Sequence, residues 1–374
     1  MDPSSVFTLQ ATRLRSDLAG EAKWLEATLS KNGAYAPFAS KLRGDIERTL
    51  GDLDALIANS RNGAKLGQRR FSSIRDRAAN LFGEALALRL VGFIREANVD
   101  AGMCAVADRL LAELARAVML QVQHLSTIAE SEFFGTSTRV IRLRYPSVSI
   151  WDLPVLGHEF GHWFGPLWYV DGALQPYPQK AFLDSKVLGS RTLAEEFFCD
   201  LLAVFLLGPA YVYMCVVLRF DPTNTDDSDT HPADARRAWW VLRALELLAG
   251  AATDVDTRGD YQRIAERLRT FWKDYAAKSG ARDFTDTEVM NSAAEDLFSK
   301  VQLAMPTAAY TDPSGAWGLA RRYQEKADLS LQEGQLRDLL NACWFAREDD
   351  LANLQKADQI DSWAREIAKK ELKK

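Results

Sequence analysis

Apolar residues recur at spacings of three and four through most of this 374-residue chain, the periodicity of one face of a helix. Trp24, Leu25 and Leu29 start the pattern, and Leu42, Ile46, Leu50, Leu53, Leu56 and Ile57 continue it. With breaks at Asn32-Gly33 and Asn62-Gly63, residues 5–60 are expected to form a helical hairpin or short coiled coil. A second helical stretch runs over 71–127, interrupted at 98–102, where Asp100 can cap the next helix. His124, among Val122, Leu125 and Ile128, reads as a partly buried structural residue. Arg139 to Tyr145 departs from the pattern by alternating apolar and basic residues up to Pro146, a strand signature. As a strand with a free edge it would hold an extended substrate by backbone pairing; the alternative is an ordinary core strand. Helical spacing returns from about 254 to 374, with turns at Gly280, Pro306–Thr307, Asp312–Gly315 and Gly334. Leu339, Leu340, Cys343, Trp344 and Phe345 mark an apolar helix there, and the Lys/Glu-rich end reads as a solvated one. The expectation is a mainly α chain in three parts: a helical region over 1–65, a core over 66–250 and a second helical region over 251–374.

Composition narrows the class. A hydrophobic share of 47% with 26% charged residues is that of a globular chain and excludes a disordered one. A net charge of -5 gives no support for a nucleic-acid or anionic-membrane partner. The start, Met1-Asp-Pro-Ser-Ser-Val, lacks the basic region and apolar run of a secretion signal. Cys104, Cys199, Cys215 and Cys343 form no C-x-x-C pair, so a cytoplasmic chain without a disulfide framework is expected. Leu201 to Leu218 is an uncharged apolar run of membrane-span length. Gly208-Pro209 divides it, and each half then has the length of a buried helix, so no membrane partner is expected.

Chemistry concentrates at Leu156-Gly-His158-Glu159-Phe-Gly-His162. Asp152 can cap a helix here, Pro154 suits its first turn, and Gly165-Pro166 ends it. Leu156, Phe160 and Trp163 give the helix a buried side. His158 and His162, four apart, present two imidazoles to one metal ion while Glu159 reaches a water beside it. Zn2+ is the expected metal. Two ligands are too few, so a third must come from elsewhere.

A second helix supplies it. In Thr192-Leu-Ala-Glu195-Glu196-Phe-Phe-Cys199-Asp200, Thr192 and Glu195 have capping-box spacing, which leaves Glu196 and Asp200 on one face of an otherwise apolar helix. Buried acids need a compensating charge. Glu196 is therefore the expected third ligand and Asp200 the acceptor for the free N–H of a ligand imidazole; exchange of the roles of Glu195 and Glu196 stays open. An acidic loop, Asp221 to Asp229, leads into Thr230-His231-Pro232 and a helix with Arg237.

H-E-x-G-H followed by E-x-x-x-D resembles the gluzincin class of zinc metallopeptidases. Within it, Glu196-Phe-Phe-Cys-Asp-Leu-Leu-Ala-Val-Phe-Leu-Leu-Gly-Pro is similar to the E-x-x-A-N-x-F-A-x-x-L-L-M-P signature of ImmA/IrrE-type peptidases, with Asp200 in place of Asn. Thr230-His231-Pro232 with Arg237 resembles the T-H-P…R segment of HtpX-type gluzincins. The likeness covers about 139–237. It implies an α+β zincin-like core with a small sheet, flanked by helical regions. It also implies hydrolysis of a protein or peptide substrate with Glu159 as the base and His231 in the cleft, donating to the oxyanion. Arg237 would lock an acidic group of the site or cover the surface. The helical flanks would pack on the core or bind a regulatory partner. The alternative is a non-catalytic binding or signalling protein in which zinc staples a helical scaffold.

Overall fold

The chain folds largely into α-helices. The computed structural model describes residues 3–31, 35–61, 68–97, 100, 102–120, 125–129, 133–134, 140–144, 149–167, 169–170, 173–174, 189–281, 288–325 and 336–372. As the apolar spacing predicts, the fold is mainly α. Its contacts define two units, Met1–Asp100 with Leu125–Leu143, and Ala101–His124 with Arg144–Lys374. These limits differ from divisions at 65 and 250, because the helix over 68–96 shares the core of the helices before it, while the C-terminal helices close over the helices of the motif.

In the first unit, α1 (Pro3–Lys31), α2 (Ala36–Arg61) and α3 (Gln68–Glu96) pack on one another. Their interior is one apolar cluster, with Leu18 and Leu25 from α1, Leu42, Ile46 and Leu53 from α2, and Ile74, Leu81, Leu88 and Val91 from α3. These positions repeat at three, four and seven, so a single stripe of each helix is removed from water. A small sheet lies on α3, with strands β1 (Leu125–Ala129), β2 (Phe133–Phe134) and β3 (Val140–Arg144) in the order β1-β3-β2. β2 and β3 are antiparallel, with Phe133 opposite Arg142 and Phe134 opposite Ile141. The strand expected over 139–145 is thus the middle one. Partners flank it on both sides, which removes the free edge on which a peptide would have paired.

The second unit contains α4 (Met103–Ala117), α5 (Val155–Phe164), the hairpin β4 (Tyr169–Val170) and β5 (Ala173–Leu174), α6 (Arg191–Leu207) and α7 (Pro209–Tyr213). A π-helical turn over Met214–Arg219 follows, then α8 (Asp234–Ala251), α9 (Val255–Lys278), α10 (Glu288–Ala304), α11 (Ser314–Gln324), α12 (Leu336–Arg347) and α13 (Leu354–Leu372). At the centre α6 lies against α5 and α8; the Trp240 ring of α8 packs tilted against Phe197 of α6, with centroids 4.9 Å apart, and donates its indole N–H to the Phe197 carbonyl at 2.7 Å.

The apolar run from Leu201 is divided at Gly208, whose φ of 61° is a conformation that glycine tolerates best. No helix among the described residues is long and apolar enough to cross a membrane. A helix end buried in the interior leaves carbonyls that need donors, and the C-terminal region supplies them. The Phe205 carbonyl accepts from the Tyr310 N–H at 2.8 Å, Leu206 from the Arg337 guanidinium at 3.1 Å, and Leu207 from the Asn341 amide at 2.8 Å. Asn341 Oδ1 also accepts from the Ala210 N–H at 2.9 Å. The helices after 310 therefore hold the end of α6 in place.

Asn341→Ala would leave the Ala210 N–H and Leu207 C=O buried without partners, at a cost of about 2–4 kcal/mol in urea unfolding. A loss below about 0.5 kcal/mol, the range of surface substitutions, would show that these bonds do not hold the break.

Candidate metal centre

Two helices build the site, and both begin at positions other than those expected. Pro154, not Asp152, stands at the N-cap of α5. Asp152 closes the preceding turn, accepting from the Ser149 hydroxyl at 2.5 Å, while its carbonyl takes the Val155 N–H at 3.0 Å. The cap of α6 is Ser190, whose side chain accepts from the Leu193 N–H at 3.4 Å. Thr192 and Glu195 therefore form no capping box. Glu195 pairs instead with Arg191 one turn back, at 3.1 Å on the surface. Starting the helix at 191 still leaves Glu196 and Asp200 on the face turned inward.

The helices approach closely along glycine. A Cβ on Gly157 would stand 2.7 Å from Leu207 Cδ1 and 3.1 Å from Ala203 Cβ, and one on Gly161 would stand 2.9 Å from both the Cα and the Sγ of Cys199. Gly157 and Gly161 are one turn apart, as are Cys199 and Ala203, so two small faces meet over a full turn. That contact carries the histidines of α5 up to the acids of α6.

At the junction, His158 Nε2 lies 3.2 Å from His162 Nε2 and 3.2 Å from Glu196 Oε2, and His162 Nε2 lies 3.3 Å from Glu196 Oε1. Glu195 is not part of the group. Bonds of about 2.0–2.1 Å in a tetrahedral zinc site put its ligand atoms about 3.3–3.4 Å apart, so this spacing is that of donors around one cation. Among the described residues Glu196 Oε2 is buried and accepts no hydrogen bond, with His158 Nε2 3.2 Å away. An orphaned buried carboxylate oxygen beside two imidazole nitrogens fits a divalent cation.

Behind His158, its Nδ1 is 2.9 Å from Asp200 Oδ1. Arg237 of α8 forks onto Asp200, with Nε to Oδ2 at 2.8 Å and Nη2 to Oδ1 at 2.7 Å. Asp200 is 0% exposed, and Arg237 supplies its countercharge. Burial opposes ionisation of Asp200, but the charge and hydrogen bonds of Arg237 and His158 hold its pKa below the usual carboxylate range. Burial likewise opposes ionisation of Glu196, but the adjacent imidazoles of His158 and His162 outweigh it and hold its pKa below the usual carboxylate range. His158 is disfavoured as a cation by its burial, yet Asp200 and Glu196 outweigh that and push its pKa up to about 10. The pocket thus sets His158 between two ionised carboxylates, Asp200 and Glu196.

His158, His162 and Cys199 also form a group whose donor atoms all lie within 4.8 Å of one another, and this cluster can bind a metal ion. Two donor sets thus share the histidines. The Glu196 carboxylate is nearer, at 3.2–3.3 Å. Burial, followed by the charges of Glu196, Asp200, Glu159 and Glu195, raises the Cys199 thiol well above its ordinary pKa.

Glu159 is 8% exposed on α5 beside its two histidines. His231, with a side chain 57% exposed, directs Nε2 to within 3.7 Å of Glu196 Oε2, while its Nδ1 bonds Thr230 Oγ1 at 2.9 Å. His124 lies outside the described residues. Tyr211, which no periodicity singles out, is 1% exposed and donates to Asp200 Oδ1 at 2.6 Å. Its only sequence signal is its position after the Gly208-Pro209 break. No protein-family model matches the chain, and neither curated proteins nor solved structures give a match.

Gly161→Ala should destabilise the fold by about 1–3 kcal/mol, since the new methyl meets the α6 backbone. Gly92→Ala, with nothing within 4 Å of its Cβ, should instead stabilise by about 0.5–1 kcal/mol. Equal effects of the two in thermal unfolding would disprove the close approach of α5 and α6.

Proposed function

We propose that this chain is a zinc-dependent endopeptidase of gluzincin type, with His158, His162 and Glu196 as the metal ligands. The mutual 3.2–3.3 Å spacing of their donor atoms carries the reading. Its support in sequence is the order H-E-x-x-H, then E-x-x-x-D, then T-H-P…R. Zinc at such a centre acts as a Lewis acid toward a carbonyl and lowers the pKa of water toward about 7.

The protein groups divide the remaining work. Glu159 takes the proton of the attacking water and passes it to the departing amine. Asp200 accepts from Nδ1 of His158, which fixes the tautomer whose Nε2 lone pair would be free to hold zinc. Arg237 keeps Asp200 ionised in its buried position. His231 donates from the rim to the oxyanion of the tetrahedral intermediate. The substrate class is a peptide or protein, and the ImmA/IrrE likeness favours limited cleavage of an intracellular regulator. The absence of C-x-x-C pairs fits a cytoplasmic setting.

A second reading has one observation in its favour. His231 Nε2 is close enough to Glu196 to act as a fourth protein ligand, which would close the centre and make the zinc structural.

Glu159→Gln should retain zinc and lose at least about 100-fold in cleavage of a mixed peptide library followed by mass spectrometry, whereas His162→Ala should lose the zinc itself. A Glu159→Gln protein that cleaves like the parent would remove the base, and a parent chain that holds zinc without cleaving any peptide would favour the structural reading.

A further inference from the structure

Asp200 Oδ1 is crowded. It stands 2.9 Å from His158 Nδ1, 2.7 Å from Arg237 Nη2 and 2.6 Å from the Tyr211 hydroxyl, which is itself 3.3 Å from His158 Nδ1. A carboxylate oxygen has two lone pairs, so the three donors compete for them, and the shortest contact is that of Tyr211. Tyr211 therefore shares with Arg237 the same oxygen that faces the His158 N–H.

The chain reaches this geometry by interrupting a helix. Tyr211 stands eleven positions after Asp200, and in an unbroken helix they would lie about 16 Å apart along the axis, beyond the reach of the two side chains. The break at Gly208-Pro209 re-aims α7, and Asn341 fixes the joint by bonding the Leu207 C=O on one side and the Ala210 N–H on the other. Tyr211 is the next residue.

We propose that Tyr211 is a positioning residue of the metal centre: its hydroxyl, brought back by the break after α6, fixes Asp200 and through it the His158 imidazole. The proposal rests on the metal reading above. It gives the interruption of the apolar run a role at the site, and it links α12 to the ligands through Asn341.

Tyr211→Phe keeps the ring and deletes only the hydroxyl, leaving Asp200 with the Arg237 fork. The test loads the full chain with Co2+, follows its visible absorption, and measures affinity by competition with a chromophoric chelator. Tyr211→Phe is expected to bind Co2+ about 10–100-fold more weakly with a shifted spectrum and an unchanged circular dichroism. Tyr213→Phe, whose ring stacks on Trp344 at 5.2 Å, serves as the control and should match the parent. An unaltered affinity and spectrum in Tyr211→Phe would overturn the proposal while leaving the metal reading intact, and equal weakening in both variants would overturn it as a general effect of disturbing the α7 segment. A parent chain that takes up no Co2+, or one whose uptake survives His162→Ala, would end the metal reading itself and this proposal with it.

Discussion

The closeness of α5 and α6 is the constraint from which the site follows. Ligands on two helices can share a cation only if the backbones approach, and Gly157 and Gly161 provide the space against Ala203 and Cys199. In the H-E-x-x-H stretch the histidines and the glycines occupy different faces. One face presents imidazoles to Glu196, while the other lies on the helix that carries Glu196. A single turn of α5 thus does two jobs, and the chemistry of one face depends on the smallness of the other.

The rest of the second unit holds this pair in place. α8 brings Arg237 to Asp200 and Trp240 to the α6 backbone. Beyond α6, Tyr310, Arg337 and Asn341 complete the carbonyls of its last turn. These are buried polar bonds, which favour one geometry over its neighbours because an unmade bond in the interior is costly. The C-terminal helices in this sense support the candidate metal centre, although among the described residues they carry none of its ligand candidates.

Much of the site was legible because helices make spacing into geometry. Positions four apart share a face, so His158 with His162 and Glu196 with Asp200 could be paired from residue types alone, and the buried acids called for a compensating charge, of which Arg237 brings one to Asp200. What escaped depends on contacts between distant segments. Ser190 and Thr192 are both capping residues, and only packing selects the first. The strand at 140–144 showed its alternation, but its middle place depends on β1 and β2 pairing with it. α3 joined the first unit because its apolar stripe matches those of α1 and α2. Tyr211 could not be found by periodicity, since a helix break sets its position.

The central claim is that one cation is shared by the two imidazoles and the Glu196 carboxylate, although the Cys199 sulfur is also near enough to compete. X-ray absorption of this 374-residue chain loaded with zinc separates these directly. The account predicts only nitrogen and oxygen scatterers at about 2.0–2.2 Å. A sulfur scatterer at about 2.3 Å would contradict it and place Cys199 in the centre instead.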